Sequence, residues 1–139
     1  MSPRTRKDVA RTRDVEPRTR VFVYGTLLVG ESNHRYLASA RLVAEARTQP
    51  AFTLHDLGAF PGLVAGGSHA VAGEVYAVDE PTLAALDRLE DHPRFYLRTS
   101  IVLASGAAVE TYLLTPNHVA GCPIITSGSW RAHRKDTPP

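Results

Sequence analysis

Glu90 ends the segment DEPTLAALDRLE, Asp79–Glu90, in a setting that suits proton transfer. Asp79 is a good N-cap residue, and Glu80 with Pro81 fits a first helical turn, where the missing proline N–H costs nothing. Taking about 100° per residue with Leu83 at the origin, Leu86 falls at about 300°, Leu89 at about 240° and Glu90 at about 340°. The carboxyl therefore shares the apolar face and sits at the helix C-terminus. Burial and the helix dipole both disfavour its anion there, which raises its pKa toward the range of a general acid or base. Periodicity alone leaves a second outcome open, in which the helix frays after Leu89 and Glu90 turns to water. Asp87, at about 40° on the edge of the stripe, reads as a surface or capping group.

Other chemistries lack their residues. No G-x-S-x-G turn is present for a serine hydrolase, and the single cysteine, Cys122, has no second thiol for a disulfide or a Cys-rich zinc site. The six histidines are scattered singly, without an H-x-H or H-E-x-x-H pair, so no metal is expected. Neither Gly25 nor AGGSH, Ala65–His69, forms a phosphate-binding loop, so no nucleotide cofactor is expected either. An enzyme built on these residues takes its nucleophile from water or from the substrate.

The elements that would position Glu90 are mostly strands. Apolar runs bounded by turn residues predict strands over 20–25, 40–48, 51–55, 71–78, 97–104 and 108–114, with ASGAA, Ala104–Ala108, as a hairpin. A short helical turn is expected over 32–38, and GAFPGL and AGGSH read as loops. The first run, RVFVYGTLL (Arg20–Leu28), is interrupted by Gly25 and Thr26, where further apolar residues would continue a buried strand. Many strands with little helix predict a compact α+β unit or a small barrel.

VFVYGTLL, NHRYL, GEVYAV, LAALDRLEDHPRFYLR and VETYLL, in that order over about residues 20–115, resemble the γ-glutamylcyclotransferase superfamily, which includes AIG2-like proteins and γ-glutamylamine cyclotransferases. SGSWR near the end is similar to the S-G-D-W-R of some members. The resemblance implies an α+β fold, a small mixed β-barrel with flanking helices. It also implies a lyase-type activity without cofactor, in which a γ-glutamyl amide cyclises to 5-oxoproline and releases an amine. The family's catalytic glutamate falls on Glu90. Its substrate-binding Y-G-x-L segment falls on Tyr24, Gly25, Thr26 and Leu27, and the tyrosine of its Y-x-R motif, near the same cavity, on Tyr96. Tyr112 matches a further aromatic position. A glycine without Cβ lets backbone N–H groups approach an anion, here the substrate carboxylate or the oxyanion of the tetrahedral intermediate. The other reading is that Gly25 merely permits a turn.

Two departures stand out: Asp91 follows Glu90 where members often have glycine, and could raise the Glu90 pKa by repulsion. Ser129 replaces the aspartate of S-G-D-W-R, a change that could bear on the acceptor side. A small-molecule-binding module that has lost turnover is the alternative function. Which amine is released, antibiotic biosynthesis included, is left open.

Charge divides the chain. Residues 1–20 carry seven basic and three acidic side chains and residues 131–139 three and one; of the 16 basic and 14 acidic in all, 21–130 keeps six and ten, a net −4. The reading is a disordered basic tail over 1–19, a catalytic domain over 20–131 and a flexible C-terminal tail over 132–139. Mixed charges in the head argue against a nucleic-acid partner or a mitochondrial presequence. With no apolar run of membrane-spanning length, the protein reads as cytoplasmic, with a small γ-glutamyl molecule as its partner.

Overall fold

The computed structural model describes residues 18–136. Strands β1 (Thr19–Val23), β2 (Arg41–Arg47), β3 (Phe52–Asp56), β4 (Pro61–Ala65), β5 (Ala72–Val78), β6 (Leu97–Val102) and β7 (Ala108–Leu113) form one mixed sheet. Helix α1 (Glu80–Leu89) joins β5 to β6, and α2 (Trp130–Asp136) ends the described chain. Short 3-10 turns occupy His34–Leu37 and Pro116–Val119. No helix among the described residues is long and apolar enough to cross a membrane.

The strand path runs β2-β5-β1-β7-β4-β3, with β6 on the other edge of β7. Pairs β1–β7 and β4–β7 are parallel and the rest antiparallel. The sheet curls until β2 and β6 meet at one end, through the Thr48–Leu103 bridge and the Ala104 N–H donated to the Arg47 carbonyl at 3.0 Å. The expected α+β barrel with flanking helices is thus a curled sheet whose edges touch rather than a closed one. From Val21 onward β1 is buried on both faces. Val21 and Val23 pack toward Leu86 of α1, and Phe22 and Tyr24 pack toward Trp130 of α2, which accounts for the unbroken apolar run of VFVY.

One local feature creates the site. β1 and β4 both lie parallel along the same edge of β7, β1 at Glu110 and β4 farther on at Leu113, so they part from one another there. Tyr24, the first residue beyond β1, fills the fork. Its hydroxyl donates to the Tyr112 carbonyl at 2.6 Å and accepts the Leu63 N–H at 3.3 Å, replacing the ladder bonds that the parting strands cannot make.

Two segments differ from expectation. β4 lies where GAFPGL suggested a loop; Pro61 opens it, a position where the absent N–H breaks no interior ladder bond. Residues 132–136, read as tail, belong to α2, capped by the Ser129 hydroxyl accepting the Ala132 N–H at 3.1 Å. The buried Trp130 roots this short helix in the core. The basic tail assigned to 1–19 lies outside the described residues except for 18 and 19, and Thr19 already belongs to β1.

Candidate active site

Glu90 is the C-cap of α1, and the chain beyond it is closely specified. Asp91 adopts φ 54° and donates its N–H to the Arg88 carbonyl at 3.2 Å, and His92 donates to the Asp87 carbonyl at 2.9 Å. These are the two bonds of a Schellman motif, with Asp91 in the left-handed position that glycine usually takes and Asp tolerates. The helix does not fray at this end. Glu90 is partly buried, lines a cavity of about 520 Å³, and burial alone pushes its carboxyl from the ordinary 4.5 up to about 7. Asp91 adds no repulsion. Its carboxylate turns outward to Arg94 at 3.2 Å.

The turn after β1 lines the same cavity. Tyr24, Gly25, Thr26 and Leu27 all line the same cavity, as does Tyr96. Among the described residues, the amides of Gly25, Thr26 and Leu27 donate no hydrogen bond, leaving three consecutive N–H groups beside the cavity. Such a run of donors is suited to an anion. Gly25 is required by close approach: a Cβ there would lie 2.5 Å from Cγ of Pro61. The turn is held from behind by Glu74, a buried carboxylate of β5. It accepts the Val29 N–H at 3.0 Å, the Tyr76 hydroxyl at 3.0 Å and the Arg131 guanidinium at 3.2 Å. Arg131 also donates to the Val29 carbonyl. GEVY and SGSWR are therefore the supports of YGTLL. Ser129 lies outside the cavity lining as a helix cap, so its replacement of Asp exchanges one good N-cap residue for another.

Asn33, which sequence reasoning passed over within NHRYL, lines the cavity and donates to the Thr26 hydroxyl at 3.0 Å. His34 Nδ1 lies 2.9 Å from the Leu27 carbonyl, fixing the turn from the same 3-10 segment.

The tyrosines reach the cavity as scaffold. The Tyr96 hydroxyl donates to the Pro61 carbonyl at 2.7 Å, and Tyr24 is committed to the strand fork. Tyr112 donates to Asp87 at 2.6 Å, and Asp87 also accepts Arg98 at 2.9 and 3.2 Å. The Arg98 guanidinium reaches on to Glu110 at 3.1 Å. Asp87 is thus the anchor of a four-residue network rather than a surface group. Burial raises the pKa of Tyr24, Tyr96 and Tyr112, and the Glu90 charge adds to each, so all three remain protonated donors near neutrality.

Among the described residues no three His, Cys, Asp or Glu side chains converge as metal ligands, and Cys122 is not part of the cavity lining. The arrangement places a carboxyl raised to about 7 and three consecutive undonated amides in the lining of one cavity.

Comparison with known proteins adds four findings. The family model for gamma-glutamyl cyclotransferase, AIG2-like, matches residues 21–132. A Vibrio cholerae protein whose name carries a provisional gamma-glutamylcyclotransferase assignment is 50% identical over 110 residues, covering 79% of this chain and 93% of that protein. Among solved structures, a uropathogenic Escherichia coli-specific protein superposes with TM-score 0.76 at 27% identity, over 88% of this chain and 99% of that one. A mouse AIG2-like protein gives 0.64 at 31% identity, over 77% and 85%.

Proposed function

Since the chain belongs to the gamma-glutamyl cyclotransferase, AIG2-like, family, we propose that it cyclises a γ-glutamyl amide to 5-oxoproline and releases the amine, with Glu90 moving the protons. The observation that carries this reading is the Glu90 carboxyl, raised to about 7, in the lining of one cavity with the undonated amides of Gly25, Thr26 and Leu27.

A γ-glutamyl amide contains its own nucleophile. Its α-amine reaches the γ-carbonyl to close a five-membered ring, so the protein's task is to fold the substrate and manage protons. Holding that geometry is worth up to about 7–11 kcal/mol in favourable intramolecular cases. The α-ammonium, with an ordinary pKa of about 8, must first lose a proton. With that proton released to solvent, Glu90 accepts a second one from the nitrogen as it attacks the γ-carbon, which leaves the single N–H of the ring. The tetrahedral intermediate then collapses, the bond to the leaving nitrogen breaks, and Glu90 returns the proton to that nitrogen. No water is consumed, and the carboxylate is regenerated. A group with a pKa close to the working pH serves both directions of transfer. The three amides hold the substrate α-carboxylate, which fixes the amine on the Glu90 side.

The test is 5-oxoproline release from a panel of γ-glutamyl amides, followed by mass spectrometry. Wild-type protein forms it and Glu90→Gln binds the same amides without forming it. Absence of product from every amide overturns the reading, as does undiminished turnover by Glu90→Gln. Binding without turnover by the wild type would return the fold to a ligand-binding role.

A further inference from the structure

The cavity has a direction. Phe22, Tyr24, Gly25, Pro61 and Tyr112, at its inner end, are buried, whereas Ser32, Ala59 and Asp91 are exposed and form its mouth. Between them, Phe60 and Phe95 are half-buried and sit with Tyr96 in a tight aromatic corner. Phe60 and Phe95 lie 6.1 Å apart at 85°, and Phe95 and Tyr96 lie 5.2 Å apart at 90°. His118 braces Phe95 from outside the cavity lining at 4.8 Å. Edge-to-face pairs of this kind fix ring orientation and leave exposed faces for a further flat group.

The charges around this corner are already spent. Among the described residues, no Lys, Arg or His lines the cavity. Its acidic members are Glu90, which the chemistry uses, and Asp91, whose carboxylate is held by Arg94 on the outer surface. The other acids that a cationic amine could have met lie elsewhere: Glu110 is paired with Arg98, and neither it nor Glu31 lines the cavity.

Resting on the cyclotransferase reading, we propose that the mouth is a leaving-group subsite selecting uncharged amines with an aromatic or apolar body, which pack against Phe60 and Phe95. With the substrate carboxylate at the inner amides and the scissile nitrogen at Glu90, the remainder of the amide extends past Leu89 into that corner. A second ammonium placed there loses solvation with no free carboxylate to receive it, and a carboxylate finds no cation. The resemblance to γ-glutamylamine enzymes leaves the amine open; the lining of this mouth is what narrows it.

The experiment compares four probes on the wild-type protein: γ-glutamyl benzylamide, γ-glutamyl butylamide, γ-glutamyl putrescine and γ-glutamyl glycine. Release of 5-oxoproline gives kcat/KM for each. If none is turned over, calorimetric Kd values on the same protein rank them instead. The benzylamide is expected to exceed the putrescine and glycine probes by about tenfold or more, with the butylamide between. Phe95→Leu and Phe60→Leu should shrink the advantage of benzyl over butyl while leaving the affinity for 5-oxoproline unchanged, which separates a subsite effect from general damage. Turnover with the charged probes equal to or better than the benzylamide overturns the proposal and leaves the cyclotransferase reading standing. So does an undiminished benzyl preference in both Leu variants. The expected ranking in Kd without any turnover retains the subsite and removes the cyclotransferase reading.

Discussion

The raised pKa of Glu90 has a consequence that can be measured without a substrate. In the folded protein its carboxyl titrates at about 7, against 4.5 as its ordinary value, so between these values the folded state binds a proton that the unfolded chain has released. A group with a raised folded pKa keeps its full contribution to stability below the unfolded value and loses it as pH rises through the folded one. The Glu90 contribution to wild-type stability should therefore decline from about pH 4.5 to about pH 7 and level off above that. At about 1.4 kcal/mol per pH unit the shift corresponds to about 3 kcal/mol, reduced toward 2 because the carboxyl is partly open to the mouth. Glu90→Gln has no ionisable group at this position. Its stability should match the wild type near pH 4.5 and exceed it by about 2–3 kcal/mol above pH 8. Urea unfolding from pH 4.5 to 8.5 measures both, and the single Trp130, buried at 1% exposure, reports loss of the core through its fluorescence. Every other titrating group is shared by the two proteins and cancels in the difference. A gap between them that stays constant with pH would refute the burial argument, and with it the claim that Glu90 is tuned for proton transfer.

Tyr24→Phe should cost about 1–3 kcal/mol in the same unfolding assay, because it strands the Leu63 N–H and the Tyr112 carbonyl in the core. A loss below about 0.5 kcal/mol would mean the strand fork does not depend on that hydroxyl. Gly25→Ala places a Cβ 2.5 Å from the Pro61 ring and should destabilise by about 1–3 kcal/mol, and Pro61→Ala in the same chain should recover most of it. Failure of that rescue would show that Gly25 is needed for another reason. Glu74→Gln weakens the grip of Arg131 on the loop; if Glu74 positions the three amides, KM for a γ-glutamyl amide should rise on the order of tenfold, with a smaller change in kcat. An equal fall in kcat with unchanged KM would contradict a binding-loop role. The kcat/KM profile of the wild type should rise with pH through a limb at about 7, and its absence in a residually active Glu90→Gln protein would assign that limb.

Strands and the main helix were legible because their signals are local. The apolar runs marked six of the seven strands, and Asp79 with Pro81 marked the start of α1, where the Asp79 carboxylate accepts the Thr82 N–H at 2.9 Å. β4 was hidden because Pro61 and Gly62 resemble a turn; both are explained by what packs on them, since a Cβ at Gly62 would meet Leu114 at 2.4 Å. Helix α2 was hidden because its sequence, WRAHRKD, has one buried anchor followed mainly by basic residues, which has no amphipathic period to detect. The site residues divide similarly. Periodicity put Glu90 on the inward face but could not show that Asp91 would close a Schellman motif and stop the helix there. The hydroxyl partners of Tyr24 and Tyr96 are backbone carbonyls 88 and 35 residues away, a relation no local pattern carries.

That division also explains why the recognisable segments contain more residues than the chemistry needs. In YGTLL, the Tyr24 hydroxyl joins β7 to β4 and the next three residues line the cavity with amides that donate no hydrogen bond among the described residues, so one segment both closes the strand fork and borders the site. In LDRLE, Asp87 anchors Tyr112 and Arg98, and Glu90, three residues on, projects into the same space. GEVY supplies Gly73, whose absent Cβ would lie 2.2 Å from the Val23 carbonyl, and Glu74, which fastens the loop that follows. YGTLL and LDRLE therefore each couple a cavity-lining residue to the contact that fixes its position, and GEVY supplies contacts alone. A substitution at an anchoring residue should disturb geometry first, because the Glu90 carboxyl and the three undonated amides would both still be present, only displaced. Displacements of about 1 Å are enough to cost on the order of a hundredfold in rate. Substitution of the anchors Asp87, Glu74 or Tyr24 is accordingly expected to disturb the cavity even though Asp87 and Glu74 do not line it.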